Sequence, residues 1–166
     1  MKAVFLDRDG VINRERGEYT FLVQDFELIE GVVDAIDRIK SSGYQVIVIT
    51  NQAGIAKGLY TIDQMKACHQ MMQEACSHKI DAIYFAPLHP SVSESLARKP
   101  GSLMFERAIS KFGIDITQSW MIGDKMRDLI PAKMMGMSTI LVSESEKELE
   151  ADYQRKSLYE SLDLIC

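Results

Sequence analysis

Cysteine is scarce, with three in 166 residues. Cys68, Cys76 and Cys166 form neither a C-x-x-C pair nor a close cluster, so they read as buried or free thiols in a reducing compartment. No apolar run is long enough to span a bilayer. The amino terminus offers one lysine and a short apolar run, so it is no signal peptide. Clustered positive charge is also missing: 19 Lys and Arg stand against 24 Asp and Glu, a net charge of −5. That balance argues against a nucleic-acid footprint. Neither G-x-x-x-x-G-K-[ST] nor G-x-G-x-x-G occurs, so those nucleotide cradles are not indicated. There is no internal repeat, low-complexity tract or linker. The expectation is a cytoplasmic protein without nucleic-acid or membrane partners, its oligomeric state left open with a monomer favoured. It forms one domain over residues 1–166 that buries roughly 70% of its unfolded surface.

What is present is an alternation of strand-like and helix-like segments. Ala3 to Leu6 reads as a first strand, and Val46 to Ile49, continuously apolar and β-branched, as a central parallel strand buried on both faces. Ala82 to Ala86, Trp120 to Ile122 and Thr139 to Val142 follow as further strands. Between them, Gly31 to Ser42 places Val32, Ala35, Ile36 and Ile39 on one helical face. Thr61 to Gln64 spells a capping box for a helix carrying Met65, Cys68, Met72 and Cys76. Phe105, Ala108, Ile109 and Phe112 mark a helix ended by Gly113, and Leu129 to Met135 a short one. The methionines at 65, 71, 72, 134, 135 and 137 read as adaptable core filler. Glu144 to Glu150 reads as a solvated charge run and the final twenty or so residues as a peripheral helix. The pattern predicts an α/β, three-layer, Rossmann-like fold with a central parallel sheet.

Each predicted strand ends in a polar group. Asp7 and Asp9 follow the first, and Thr50, Asn51 and Gln52 the second, with Gly54 and Gly58 beyond. Arg98 and Lys99 precede the third helix, while Asp124, Lys125 and Asp128 follow the fourth strand. Parallel strands bring these ends to one edge of the sheet, where open α/β sheets place their ligands. Crowded carboxylates call for a cation, and Mg²⁺ is the natural resident. Lysine, hydroxyl and freed backbone amides suit the oxygens of a phosphoryl group. An aspartate could attack phosphorus while a second protonates the leaving alkoxide and then activates water. His69, Cys68 and Cys76 have the wrong neighbours for a metal site and are assigned no role.

VFLDRDGVIN, VIVITNQAGIAKG, ARKPG and MIGDKMRD resemble, in order and spacing, the four signature motifs of the haloacid dehalogenase (HAD) superfamily of phosphatases. The shared phrases DRDGVIN, TNQAGIAKG, RKP and GDK are closest to the branch containing heptose bisphosphate phosphatase and histidinol-phosphate phosphatase. The resemblance implies Asp7 as nucleophile and Asp9 as general acid/base. It implies Thr50 and Lys99 as phosphate-binding residues, and Mg²⁺ held by Asp7, the backbone carbonyl of Asp9, and Asp124. Lys125 and Asp128 support that motif, while Asn51, Gln52 and Arg98 match phosphate- or substrate-contacting positions. The implied substrate is a small phosphate ester, first a heptose 1,7-bisphosphate, then histidinol phosphate or another metabolite. A rival of another class is a phosphoacceptor signalling domain, which would carry its phosphorylated aspartate after a middle strand; here that strand ends in Thr50.

Two departures stand out. Many members of the branch carry a C-x-H and C-x-C zinc loop before the Arg-Lys-Pro. Residues 86–99 contain no cysteine, and the lone His89 cannot supply the four ligands of structural zinc, so zinc is not predicted. The intervals that could hold a large cap domain are also too short for one.

Overall fold

The structure, a computed structural model, describes residues 1–145 and 150–166. Six strands form one sheet: β1 (Ala3–Leu6), β2 (Gln45–Asn51), β3 (Ala82–Ala86), β4 (Trp120–Gly123), β5 (Ser138–Val142) and β6 (Tyr153–Arg155). Their order is β3-β2-β1-β4-β5-β6, and every neighbouring pair is parallel. Chain order reverses at β1, whose Leu6 sits opposite both Val48 of β2 and Ile122 of β4. The crevice beyond a reversal of this kind is where doubly wound sheets bind ligands. Asp7 is the next residue.

The described α-helices are α1 (Val32–Ser41), α2 (Ile62–Ala75), α3 (Leu103–Phe112), α4 (Met126–Met135) and the short α5 (Leu162–Ile165), with 3-10 turns at Val23–Asp25 and Ile116–Gln118. Successive β1 side chains face opposite ways. Val4 and Leu6 join a core with Ile36, Ile39, Met72 and Leu162. Ala3 and Phe5 join a second with Phe105, Ala108, Met121 and Leu129. Both faces of the sheet are therefore covered, which gives the three layers read from the sequence.

Local signals do what their chemistry requires. Thr61 Oγ1 accepts from Gln64 N at 3.2 Å and Gln64 Oε1 from Thr61 N at 2.9 Å, a complete capping box. Gly113 ends α3 in the left-handed region at φ 61°.

Three points differ from the sequence expectation, and a fourth lies partly outside the described residues. The chain after residue 150 is no single helix, because it first forms β6 beside β5 and ends in α5. Helix α4 begins at Met126, before its apolar stripe, because Asp128 Oδ2 accepts from Lys125 N at 3.1 Å and closes the first turn. Met65, Met72 and Met137 are buried as core filler, but Met134 is 84% exposed on the outer side of α4. In the charge run, Glu144 and Glu150 are exposed, while residues 146–149 lie outside the described residues. Residues 13–30 form a loop pinned by bridges from Asn13 to Asp9 and Leu28, and no large cap domain is inserted among the described residues.

Candidate active site

The site is built on the turn that leaves β1. Asp7 N still donates to Ile122 O at 3.0 Å, so the first carboxylate is fixed by the sheet itself. The chain then folds tightly under the Arg8 carbonyl, which accepts from Ile12 N at 2.8 Å and Asn13 N at 3.1 Å. Gly10 permits this turn at φ +87°, where a side chain would be strained. A Cβ there would also lie 2.6 Å from Asp124 Oδ2.

Asp7 meets Lys99, which arrives on the loop between β3 and α3. Lys99 Nζ is 2.7 Å from Asp7 Oδ1, 2.8 Å from Asp128 Oδ1 and donates to Ile49 O at 2.7 Å. Asn51 sets the position of that lysine: its Nδ2 donates to Lys99 O at 3.1 Å while its Oδ1 accepts from Lys99 N at 2.9 Å. Burial works against the ammonium, but the Asp7 and Asp128 carboxylates hold it charged, above the usual lysine range. Burial, reinforced by the Asp128 charge, pushes the Asp7 carboxyl up to about 7 despite Lys99.

Asp9 faces the other way. Its Oδ1 accepts from Arg8 Nη2 at 2.8 Å and from Asn13 Nδ2 at 3.0 Å. The Gln52 amide lies 3.3 Å from Asp9 Oδ2, 3.0 Å from Thr50 Oγ1 and 2.6 Å from the Tyr60 hydroxyl.

Asp7, Asp124 and Asp128 present carboxylate oxygens within 4.8 Å of one another. Asp124 Oδ1 is buried with no hydrogen-bond partner, and burial raises its carboxyl above the ordinary range. Asp128 is already engaged by the Lys99 ion pair and the Lys125 amide. A cluster of buried carboxylates with an unpartnered oxygen, closed by a glycine that leaves just enough room, fits a hard divalent cation.

A cavity of about 570 Å³ opens above these groups. Asp7, Asp9, Asn51, Gln52, Arg98, Lys99 and Lys125 line it, whereas Thr50, Asp124 and Asp128 are not among its lining residues. Lys125 is the most occupied of the rim cations, 3.2 Å from Glu15 Oε2 and 3.4 Å from Asp124 Oδ2. Arg98 Nη1 is buried without a partner. The sequence reading passed over Arg8, Glu15, Tyr19, His89 and Arg127, all on the same cavity. Arg8 sat in plain view between the two aspartates. Arg127 lay inside MIGDKMRD, in the first turn of α4, while Glu15, Tyr19 and His89 had no signal because each joins the site only through the folding of its loop.

Comparisons with known proteins bear on the family and the fold. Residues 96–163 match the family described as HAD-hydrolase-like. The D-glycero-beta-D-manno-heptose-1,7-bisphosphate 7-phosphatase of Haemophilus ducreyi is 35% identical over 165 residues, covering 94% of this chain and 90% of its own. The enzyme of that name from Haemophilus influenzae is 39% identical over 136 residues, 77% of this chain and 73% of its own. The chain belongs to the HAD superfamily, in the heptose bisphosphate phosphatase branch. A solved HAD relative is the D,D-heptose 1,7-bisphosphate phosphatase from B. bronchiseptica, complexed with magnesium and phosphate. It superposes with a TM-score of 0.90 at 26% identity, over 99% of this chain and 98% of that one. This HAD protein is accordingly a phosphoric monoester hydrolase.

Proposed function

We propose that the protein hydrolyses a sugar phosphate ester, D-glycero-D-manno-heptose 1,7-bisphosphate, through an aspartyl-phosphate on Asp7, acting as a single unit over residues 1–166 in the cytoplasm. The observation that carries this reading is the pairing of buried Asp7 with Lys99 at 2.7 Å, with Asp9 two residues on at the same cavity. In the first step an Asp7 oxygen attacks phosphorus, the bond from phosphorus to the sugar oxygen breaks, and Asp9 gives that oxygen its proton. In the second, Asp9 takes a proton from water, which attacks the phosphorus and returns Asp7 as a carboxylate. Lys99 and the Thr50 hydroxyl neutralise phosphoryl oxygens, where charge stabilisation supplies most of the acceleration. Asp128 keeps the lysine charged, and Asn51 fixes it in register.

Asp7, Asp124 and the backbone carbonyl of Asp9 would hold Mg²⁺, consistent with the magnesium and phosphate of the B. bronchiseptica relative. Bound there, the ion supplies Lewis-acid charge to the phosphoryl group. The heptose bisphosphate assignment is supported by the names of the relatives and by the rim. Arg98, Lys125 and Arg127 all line the cavity, a cationic set suited to a second phosphate. Histidinol phosphate would leave that set without a partner. The receiver-domain alternative has no support from relatives of this kind.

The test is Mg²⁺-dependent phosphate release from heptose 1,7-bisphosphate, histidinol phosphate, common sugar phosphates and nucleotides. A clear preference for the heptose ester is expected. A flat profile would keep the chemistry and remove the substrate; no release from any ester would remove both.

A further inference from the structure

Arg8 is the largest side chain sealed into this protein, 1% exposed. A guanidinium cannot shed its charge, so burying one requires partners on several sides. It finds them on its neighbour Asp9 and in two further segments. Nη2 donates to Asp9 Oδ1 at 2.8 Å and to the Thr20 carbonyl at 2.9 Å, while Nη1 lies 3.4 Å from His69 Nε2 on α2. Because a guanidinium has no acceptor, His69 Nε2 must be the acceptor and the ring neutral. Burial first, and the Arg8 charge second, hold the imidazole down at about 4, in keeping with that. The ring of Phe26 covers the remaining face, 5.4 Å from the guanidinium carbon.

Replacing the whole Arg8–Asp9 pair by apolar side chains would remove the cost of burying a charge, and such replacements are often neutral or stabilising, so stability alone does not account for this arginine. What an apolar residue could not do is grip Asp9. Arg8 and Asn13 together take Oδ1, so the carboxylate cannot rotate freely; the Gln52 amide oxygen, turned towards Arg8, accepts from Nη2 at 3.2 Å and leaves Oδ2 without a donor from Gln52. We propose that Arg8 is a positioning residue for Asp9, locking Oδ1 so that Oδ2 is presented to the leaving oxygen and then to water. The inference rests on the reaction proposed above.

The experiment compares wild type, Arg8→Met, Arg8→Lys, Asp9→Asn and Arg8→Met/Asp9→Asn with Mg²⁺ and p-nitrophenyl phosphate. It follows steady-state turnover and acid-quenched phosphoenzyme. In Arg8→Met, kcat should fall roughly 10–100-fold, the range found when a residue orienting a functional group is lost, with KM little changed. Phosphoenzyme should accumulate, since the second step needs Asp9 to take a proton from water and the aryl leaving group needs little help in the first. In the Asp9→Asn background the same change should cost nothing further, because its effect passes through Asp9. Arg8→Lys keeps the charge but cannot bridge Asp9, Thr20 and His69, so it carries the same expectations if Arg8→Met does not fold. Wild-type kcat in a folded variant, or a full additional loss in the double variant, overturns the proposal alone. A wild type that releases no phosphate removes the proposed function and this inference together.

Discussion

Lys99 Nζ lies 2.7 Å from Asp7 Oδ1, with the two side chains only 1% and 7% exposed. The contact joins residues far apart in the chain. It depends on β1 delivering Asp7 at the reversal of the sheet and on Asn51 clamping the Lys99 backbone from β2. Such a pair contributes little net stability against an apolar alternative, yet breaking one partner of it is costly. In the proposed reaction it holds opposite charges where the phosphoryl group would sit.

Lys99→Met should therefore lower kcat by at least about 100-fold, as expected for loss of one preorganised charge at the phosphoryl oxygens. It also leaves Asp7 and Asp128 facing each other without a counter-charge, so melting of the metal-free protein at pH 8 should shift downwards. Phosphate release and thermal melts check the two effects separately. Activity within a few-fold of wild type would end the phosphate-binding assignment of Lys99.

The raised Asp7 carboxyl makes a pH prediction with a definite sign. Its folded value, about 7, is above the ordinary 3.8, so the fold holds a proton that the unfolded chain has released. Stability from this group is fully present below 3.8 and is lost as pH rises through about 7. Mg²⁺ competes for the same oxygens, so its apparent affinity should weaken about tenfold for each pH unit below about 7 if one proton is displaced. Asp7→Asn should abolish turnover and flatten both the melting profile and the metal titration over this range. Titration calorimetry at several pH values measures it, and a pH-independent affinity in the wild type would contradict it.

Much of this arrangement was legible in the chain itself. Continuous apolar runs such as Val46 to Ile49 announced buried parallel strands, and the polar groups following them met at one sheet edge because parallel strands end together. Strand β6 escaped notice because Tyr153, Gln154 and Arg155 lie at the sheet edge in a charged stretch, where no apolar run forms. Arg8 escaped for a different reason. An arginine reads as surface until its neighbour Asp9 and two segments further along the chain, at Thr20 and His69, are seen to enclose it. Met134 shows the converse, since a methionine in a helical stripe gives no hint of which side the helix turns outwards.

Gly10 separates metal binding from the chemistry of the carboxylates. A Cβ at this position meets Asp124 Oδ2 at 2.6 Å on a backbone at φ +87°. Gly10→Ala should lose about 1–2 kcal/mol of stability from the left-handed conformation alone. The displaced Asp124 should in addition raise the Mg²⁺ concentration needed for half-maximal activity, while activity at saturating Mg²⁺ recovers in part. Mg²⁺ titration of the folded variant decides this. An unchanged requirement would show that Asp124 takes no part in holding the ion.

The loop before Lys99 gives the last prediction, on metal removal. In the stretch where many members of the branch use zinc, this chain has a set of turn hydrogen bonds. Val92 N and Ser93 N donate to the His89 carbonyl at 2.8 and 3.0 Å, and Gly101 N donates to Arg98 O at 2.7 Å. Ser91 N donates to His89 Nδ1 at 3.1 Å, so that nitrogen is an acceptor already engaged. No cysteine lies nearby to complete a tetrahedral set. Exhaustive chelation should therefore abolish activity, and Mg²⁺ alone should restore all of it. Added Zn²⁺ should give no further gain, and the melting temperature should change only with Mg²⁺. A zinc requirement, or one zinc per chain in protein purified without added metal, would show that the loop has found ligands the structure does not assign to it.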